Sequence, residues 1–290
     1  MNLDGVVWKE DRMLWHDRVF RLEHAREDAT WDGGDECFVF WKPRHLIAQY
    51  EQFWAQHPDF APTTLFEVGV WFGGSAAFWL QALGLHRLVG IDIQKPQGTE
   101  YFDRYVAESK GRLKIYWDVD QADRTHLREI AQQDLPQGVD MVVDDGAHLY
   151  SPTLAAFEAL FPVLRPGGFY FIEDWAWHHW PEYTGFRGRQ PMTELAWQFV
   201  EAVGTRRGPI ASVLVFPDFL VIERGSGPLG AEAGTGIRAQ GDSGRAPDQQ
   251  APERPAARPA ESVRPRRQRQ AAREGGHQGP AAGQGPGPTP

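Results

Sequence analysis

The chain has 290 residues, 41% of them hydrophobic, a single cysteine and a formal net charge of −9. It holds no run of about 18 apolar residues, which excludes a membrane-spanning helix, and its acidic start, MNLDGVVWKEDRM, lacks the apolar core of a secretory signal. Residues 1–224 carry 21 Lys+Arg against 33 Asp+Glu, a net of −12 that repels phosphate backbones and disfavours a nucleic-acid partner.

Residues 1–60 read as helices and loops rather than strands, a helical extension assigned to substrate, lid or oligomer contacts. Cys37 sits in ECFVFW and reads as an inert packed thiol. A lone cysteine forms no internal disulfide, which fits a reducing cytoplasm. The stretch Pro43–His57 has helical apolar spacing at Leu46, Ile47, Tyr50, Phe53 and Trp54, and Pro58 and Pro62 end it. From Thr64 the pattern changes to short apolar runs at 64–69, 87–92, 112–117, 139–145 and 168–174. Helical candidates lie between them at 74–84, 99–109, 123–134 and 151–165, with another at 192–204. Strands alternating with helices of 10–15 residues predict an α/β fold with a parallel sheet covered on both faces. Ser151 and Pro152 read as the start of the fourth helix, and Pro166-Gly167-Gly168 as its stop. Two apolar runs around Pro217-Asp218 predict an antiparallel hairpin, which completes a Rossmann-like sheet of seven strands over residues 61–224. Residues 225–290 contain no aromatic residue, and 23 of the 66 are Gly or Pro. So few large apolar groups cannot offset the entropy of ordering, so this segment reads as a disordered tail.

The run FEVGVWFGGS, residues 66–75, follows the first predicted strand of the sheet and opens a helix. Gly69, Gly73 and Gly74 let backbone approach a ligand, and the helix start, with Ser75, offers free N–H groups. Glu67, at the strand end, is wrong for cradling a pyrophosphate and suits a cationic ligand or a hydroxyl. The next strand ends in Asp92, placed to accept both hydroxyls of a ribose. The turn and Asp92 together predict a nucleoside cofactor.

This combination resembles the class I S-adenosylmethionine-dependent methyltransferases. The resemblance implies that Gly69 and its loop approach the methionine part of the cofactor and Asp92 the ribose. It also places Asp120 and Gln121, in WDVDQADR, near the adenine.

The fourth strand of the sheet ends in VVDDGAHLYS and the fifth in FIEDWAWHHW. Asp144, Asp145, Glu173 and Asp174 therefore converge on the crevice that holds Gly69 and Asp92. Four carboxylates repel one another unless a cation sits among them, and Mg²⁺ is the simplest candidate. His148, three residues after Asp145, is in reach as a general base. Asp144 is assigned to the cofactor side, with a loop cap as the alternative. Trp175, Trp177 and Trp180 read either as an aromatic wall for a sugar ring or as a packed loop; His178 and His179 read as lid or surface residues.

These motifs resemble the macrocin/mycinamicin sugar O-methyltransferases and the related cephalosporin-hydroxylase-type family. That resemblance implies Asp145, Glu173 and Asp174 as Mg²⁺ ligands and His148 as the base. It implies methyl transfer from S-adenosylmethionine to a hydroxyl of a small, glycosylated metabolite. The alternatives are a hydroxylation component and a non-catalytic cofactor-binding protein. A nicotinamide dehydrogenase would need the absent G-x-G-x-x-G.

Overall fold

The computed structural model describes residues 1–22, 36–95, 99–181, 183–205, 208–227 and 229. The tail assigned to 225–290 lies outside them beyond Leu229. The described residues belong to one unit, Met1–Pro259, and none of their helices is long and apolar enough to cross a membrane.

The chain begins with a small sheet, not with the helices and loops read from residues 1–60. Its strands are β1 (Val7–Trp8), β2 (Arg12–Trp15), β3 (Arg18–Leu22) and β4 (Phe38–Phe40), paired in that order. The first two junctions are antiparallel and β3–β4 is parallel. Met13, Trp15, Phe20 and Leu22 point inward. Strands of two to five residues are too short for a period-2 pattern to show. The reversal between Trp15 and Arg18 uses His16, at φ 52°, and Asp17 instead of the Asn-Gly that marks such turns. Helix α1 (Arg44–Gln56) follows, burying Leu46, Ile47, Tyr50, Phe53 and Trp54 as the spacing predicts.

The large sheet is built from β5 (Thr64–Val68), α2 (Gly74–Ala82), β6 (Arg87–Asp92), α3 (Glu100–Glu108), β7 (Leu113–Trp117), α4 (Arg124–Asp134), β8 (Val139–Asp144), α5 (Tyr150–Leu160) and β9 (Leu164–Glu173). Helix α6 (Met192–Gly204) and the hairpin β10 (Ile210–Val215) and β11 (Phe219–Arg224) complete it. The spatial order is β10-β11-β9-β8-β5-β6-β7, with β7 to β9 parallel and the hairpin antiparallel. This is the predicted seven-stranded sheet. Helix α4 starts where Asp123 accepts hydrogen bonds from Thr125 N and His126 N, and α3 where Thr99 accepts from Phe102 N. The fourth predicted helix differs at both ends. It starts at Tyr150, so Ser151 and Pro152 lie in its first turn, and Leu149 takes the cap position. It ends at Leu160, and Pro166-Gly167-Gly168 lie inside β9, beside a register shift against β8. The two glycines form an irregular strand start, as a β-bulge permits.

Side chains alternate across the sheet. In β9, Phe169 and Phe171 enter the core shared with α1, α2 and the small sheet, while Tyr170 and Ile172 enter the core shared with α4, α5 and α6. In β11, Phe219 and Val221 repeat the first set, and Leu220 and Ile222 the second. Burial on both faces holds the register, because a one-residue slip would exchange the two sets. At the amino ends of the central strands, Asp140 Oδ2 accepts from Thr63 N at 2.8 Å, Thr64 N at 3.0 Å and both threonine hydroxyls. Its Oδ1 pairs with Arg165 at 2.9 Å.

Candidate active site

Neighbouring strands β5 and β8 lead to helices on opposite faces of the sheet, so a crevice opens beyond their carboxyl ends. The two loops there touch directly. Asp145 N donates to Val68 O at 2.8 Å, and Gly69 N to Ile91 O at 2.9 Å. Gly69 has φ +84°, and a Cβ on it would lie 2.2 Å from Asp145 O. The other two glycines of the turn answer to protein neighbours. A Cβ at Gly73 would enter the Phe102 ring, and one at Gly74 would lie 1.7 Å from Val39 O. Packing by α3 and β4 therefore already requires glycine at both positions, which the sequence reading had left to a ligand.

Glu67 is fully buried, and neither carboxylate oxygen has a hydrogen-bond partner of normal geometry. Burial pushes its pKa up to about 8, against the opposing pull of Lys42 and of the Ser75 hydroxyl. Asp92 accepts from Val70 N and Trp71 N on Oδ2, at 3.0 and 2.7 Å, and from Gln94 N on Oδ1 at 2.8 Å. Three of roughly four lone-pair directions are thus committed to shaping the turn. That leaves less room for two ribose hydroxyls than the sequence reading assumed. Asp120 is exposed and accepts from Ala122 N, while buried Gln121 Oε1 accepts from Ala147 N at 2.7 Å. Asp144 turns toward Tyr170, whose hydroxyl donates to Oδ2 at 3.1 Å, and burial pushes its pKa up to about 7.

Asp145, His148 and Asp174 each present one metal-ligating atom, all within 4.8 Å of one another. His148 Nε2 lies 3.6 Å from Asp145 Oδ1 and 3.8 Å from Asp174 Oδ2. Both His148 (φ 53°) and Asp174 (φ 56°) adopt the left-handed conformation that non-glycine residues rarely take. The Trp177 ring packs on His148 with centroids 4.4 Å apart.

Glu173 is not in this cluster, although the resemblance had grouped it with Asp145 and Asp174. Both its oxygens accept from Lys42 Nζ at 2.7 Å, and Oε1 also accepts from the Tyr50 hydroxyl at 2.6 Å. Lys42 Nζ lies 3.3 Å from Asp145 Oδ2 as well, and its side chain is only 1% exposed. Burial acts to lower the Lys42 pKa, but Asp145 and Glu173 outweigh it and hold the ammonium charged. The sequence reading missed Lys42 and Tyr50. A lone cation closing the apolar run CFVFWK was the available signal. Tyr50 had been read only as core.

The tryptophan loop is mostly packed. Trp175 Nε1 donates to Phe216 O at 3.0 Å, Trp177 stacks on Tyr183 at 4.2 Å, and Trp180 lies against Tyr183. His179 reaches Thr193 Oγ1 at 3.3 Å and His178 lies against Phe186, both apart from the three-residue cluster.

Residues 66–175, which include Glu67, Asp92, Asp145, His148, Glu173 and Asp174 but not Lys42 or Tyr50, match the family model of a methyltransferase domain. The chain is similar to 8-demethyl-8-alpha-L-rhamnosyl tetracenomycin-C 2'-O-methyltransferase of Streptomyces olivaceus, 33% identical over 154 residues, covering 50% of this chain and 37% of that protein. It is also similar to demethylmacrocin O-methyltransferase of Streptomyces fradiae, 34% identical over 142 residues, covering 48% of this chain and 30% of the relative. The chain thus spans about a third of the length of these relatives. Among solved structures, MycE methyltransferase from the mycinamycin biosynthetic pathway, in complex with Mg and SAH, aligns at 26% identity and a TM-score of 0.49, covering 61% of this chain and 49% of that one. The resemblance to sugar O-methyltransferases drawn from the motifs at 144–174 is borne out by the curated relatives.

Proposed function

We propose that this chain is an S-adenosylmethionine-dependent O-methyltransferase that acts, with a divalent ion such as Mg²⁺, on a hydroxyl of a small glycosylated metabolite. The observation that supports it best is the junction of the loops after β5 and β8. It sets the turn that follows the buried carboxylate of Glu67 against the loop that carries Asp145 and His148, a histidine flanked by two carboxylates, in a segment that matches a methyltransferase domain. An orphaned buried carboxylate fits a cationic cofactor, because an unpaired polar group in the interior is costly until a partner arrives.

In this reading Glu67, Gly69, Gly73 and Ser75 hold the methionine portion, with Asp144 beneath them. Asp92 takes the ribose, and Asp120 and Gln121 flank the adenine. Asp145 and Asp174 hold the divalent ion, whose chemistry when bound is to make a coordinated hydroxyl more acidic. His148 takes the acceptor proton at Nε2, and the carboxylates of Asp145 and Asp174 stabilise the imidazolium that results. Trp177 fixes the ring that does this. The buried Cys37 fits a cytoplasmic setting.

The test is transfer of labelled methyl from S-adenosylmethionine to a panel of glycosylated hydroxyl compounds, with Mg²⁺ and after chelation. Transfer that needs the metal supports the reading. A hydroxylated product, or cofactor binding with no transfer across the panel, would overturn it in favour of the two alternatives.

A further inference from the structure

The geometry points to Lys42 as a positioning residue of the site, a resident cation that holds Glu173 and one oxygen of Asp145 and so keeps Glu173 out of any metal-ligand set. This rests on the divalent-ion reading above. The small amino-terminal sheet delivers Lys42 immediately after β4, with Gly74 of α2 packed against the β4 backbone. Its ammonium reaches Glu173 and Asp145 together. The Tyr50 hydroxyl, from α1, occupies a further acceptor direction on Glu173 Oε1. Both Glu173 oxygens are therefore committed to groups of this chain. Asp145 is divided: Oδ2 faces Lys42 and Oδ1 faces His148.

The charges agree with this division. Asp145, Glu173 and Asp174 against one ammonium leave two negative charges, the amount one divalent cation neutralises. Without Lys42 the same three carboxylates would leave three negative charges, and a metal ion would become a substitute counter-charge for Glu173.

The experiment combines Mn²⁺ titration, followed by electron paramagnetic resonance, with melting temperatures of wild type, K42M, E173Q, the K42M/E173Q double variant, D145N and D174N. Without metal, K42M melts below wild type, and adding E173Q to it restores part of the loss, because no unpaired charge then stays buried. E173Q, which removes one negative charge but no ligand, loses less Mn²⁺ affinity than D145N or D174N, each of which loses tenfold or more. K42M binds Mn²⁺ at least tenfold more tightly than wild type and gains more melting temperature from it. If K42M does not fold while the double variant does, that rescue is itself the ion-pair readout; if neither folds, Lys42 is not coupled to Glu173 and the proposal fails.

The proposal is overturned if folded E173Q loses Mn²⁺ as D174N does, if folded K42M leaves the affinity unchanged, or if the losses of K42M and E173Q simply add. If wild type takes up no Mn²⁺, the divalent-ion reading fails and the ligand assignment with it. The melting temperatures still decide whether Lys42 and Glu173 form a coupled pair.

Discussion

Gly69 and Asp145 meet backbone to backbone: a Cβ on Gly69 would lie 2.2 Å from the Asp145 carbonyl oxygen. This contact joins the expected cofactor turn to the expected metal loop. Gly69→Ala would combine a left-handed φ with a collision against main chain, which has no flexible end to move aside. It should lower unfolding stability by about 2–4 kcal/mol in urea titrations. A loss under about 1 kcal/mol would show that the two loops relax independently.

His148 is proposed above as the base, and its neighbours leave a second role open, as the third ligand of the ion. His148→Ala should reduce methyl transfer by roughly 10²–10⁴-fold while Mn²⁺ uptake persists. Uptake lost together with activity would make His148 a ligand.

Glu67 gives the ligand-free protein a pH dependence of definite sign. Its folded pKa of about 8 exceeds the ordinary 4.5, so the folded state holds the proton more tightly between those values. The stability contributed by the neutral carboxyl is complete below about pH 4.5 and is lost as the pH rises through 8. The melting temperature should fall across that window, and Glu67→Gln should flatten that part of the fall. Parallel curves for the two proteins would mean that Glu67 is already ionised in the fold.

Asp140 supplies a control at the opposite end of the sheet, where it ties the start of β5 to β8 and, through Arg165, to β9. Asp140→Ala leaves two backbone donors without an acceptor and should cost about 2 kcal/mol. Mn²⁺ affinity should stay at the wild-type value, since every candidate ligand lies beyond the other strand ends.

The large sheet was legible because its strands are apolar runs bounded by turn residues and its helices carry a periodic apolar face, as with Leu154, Phe157 and Leu160 on α5. The small sheet was not, since its strands are short and its His16-Asp17 turn uses neither Asn nor Gly. The acidic residues of the site stood out at strand ends, where topology alone aims them at one crevice. Their partners did not. Lys42 meets Glu173 across 131 positions, and no local pattern reports a contact of that span. For the same reason the roles of Gly73 and Gly74 were incomplete: Phe102 and Val39, which exclude a side chain there, belong to other elements.

The pairing of Glu173 with Lys42 bears on how this chain and its relatives are recombined. The segment that matches the methyltransferase-domain model begins at residue 66, after the small sheet and α1. A chimera joined at that boundary would inherit Glu173 with neither its ammonium nor its tyrosine hydroxyl. The smallest transplantable cassette therefore reaches back through α1 to β4, and exchange of the amino-terminal segment between relatives has to carry both residues across together.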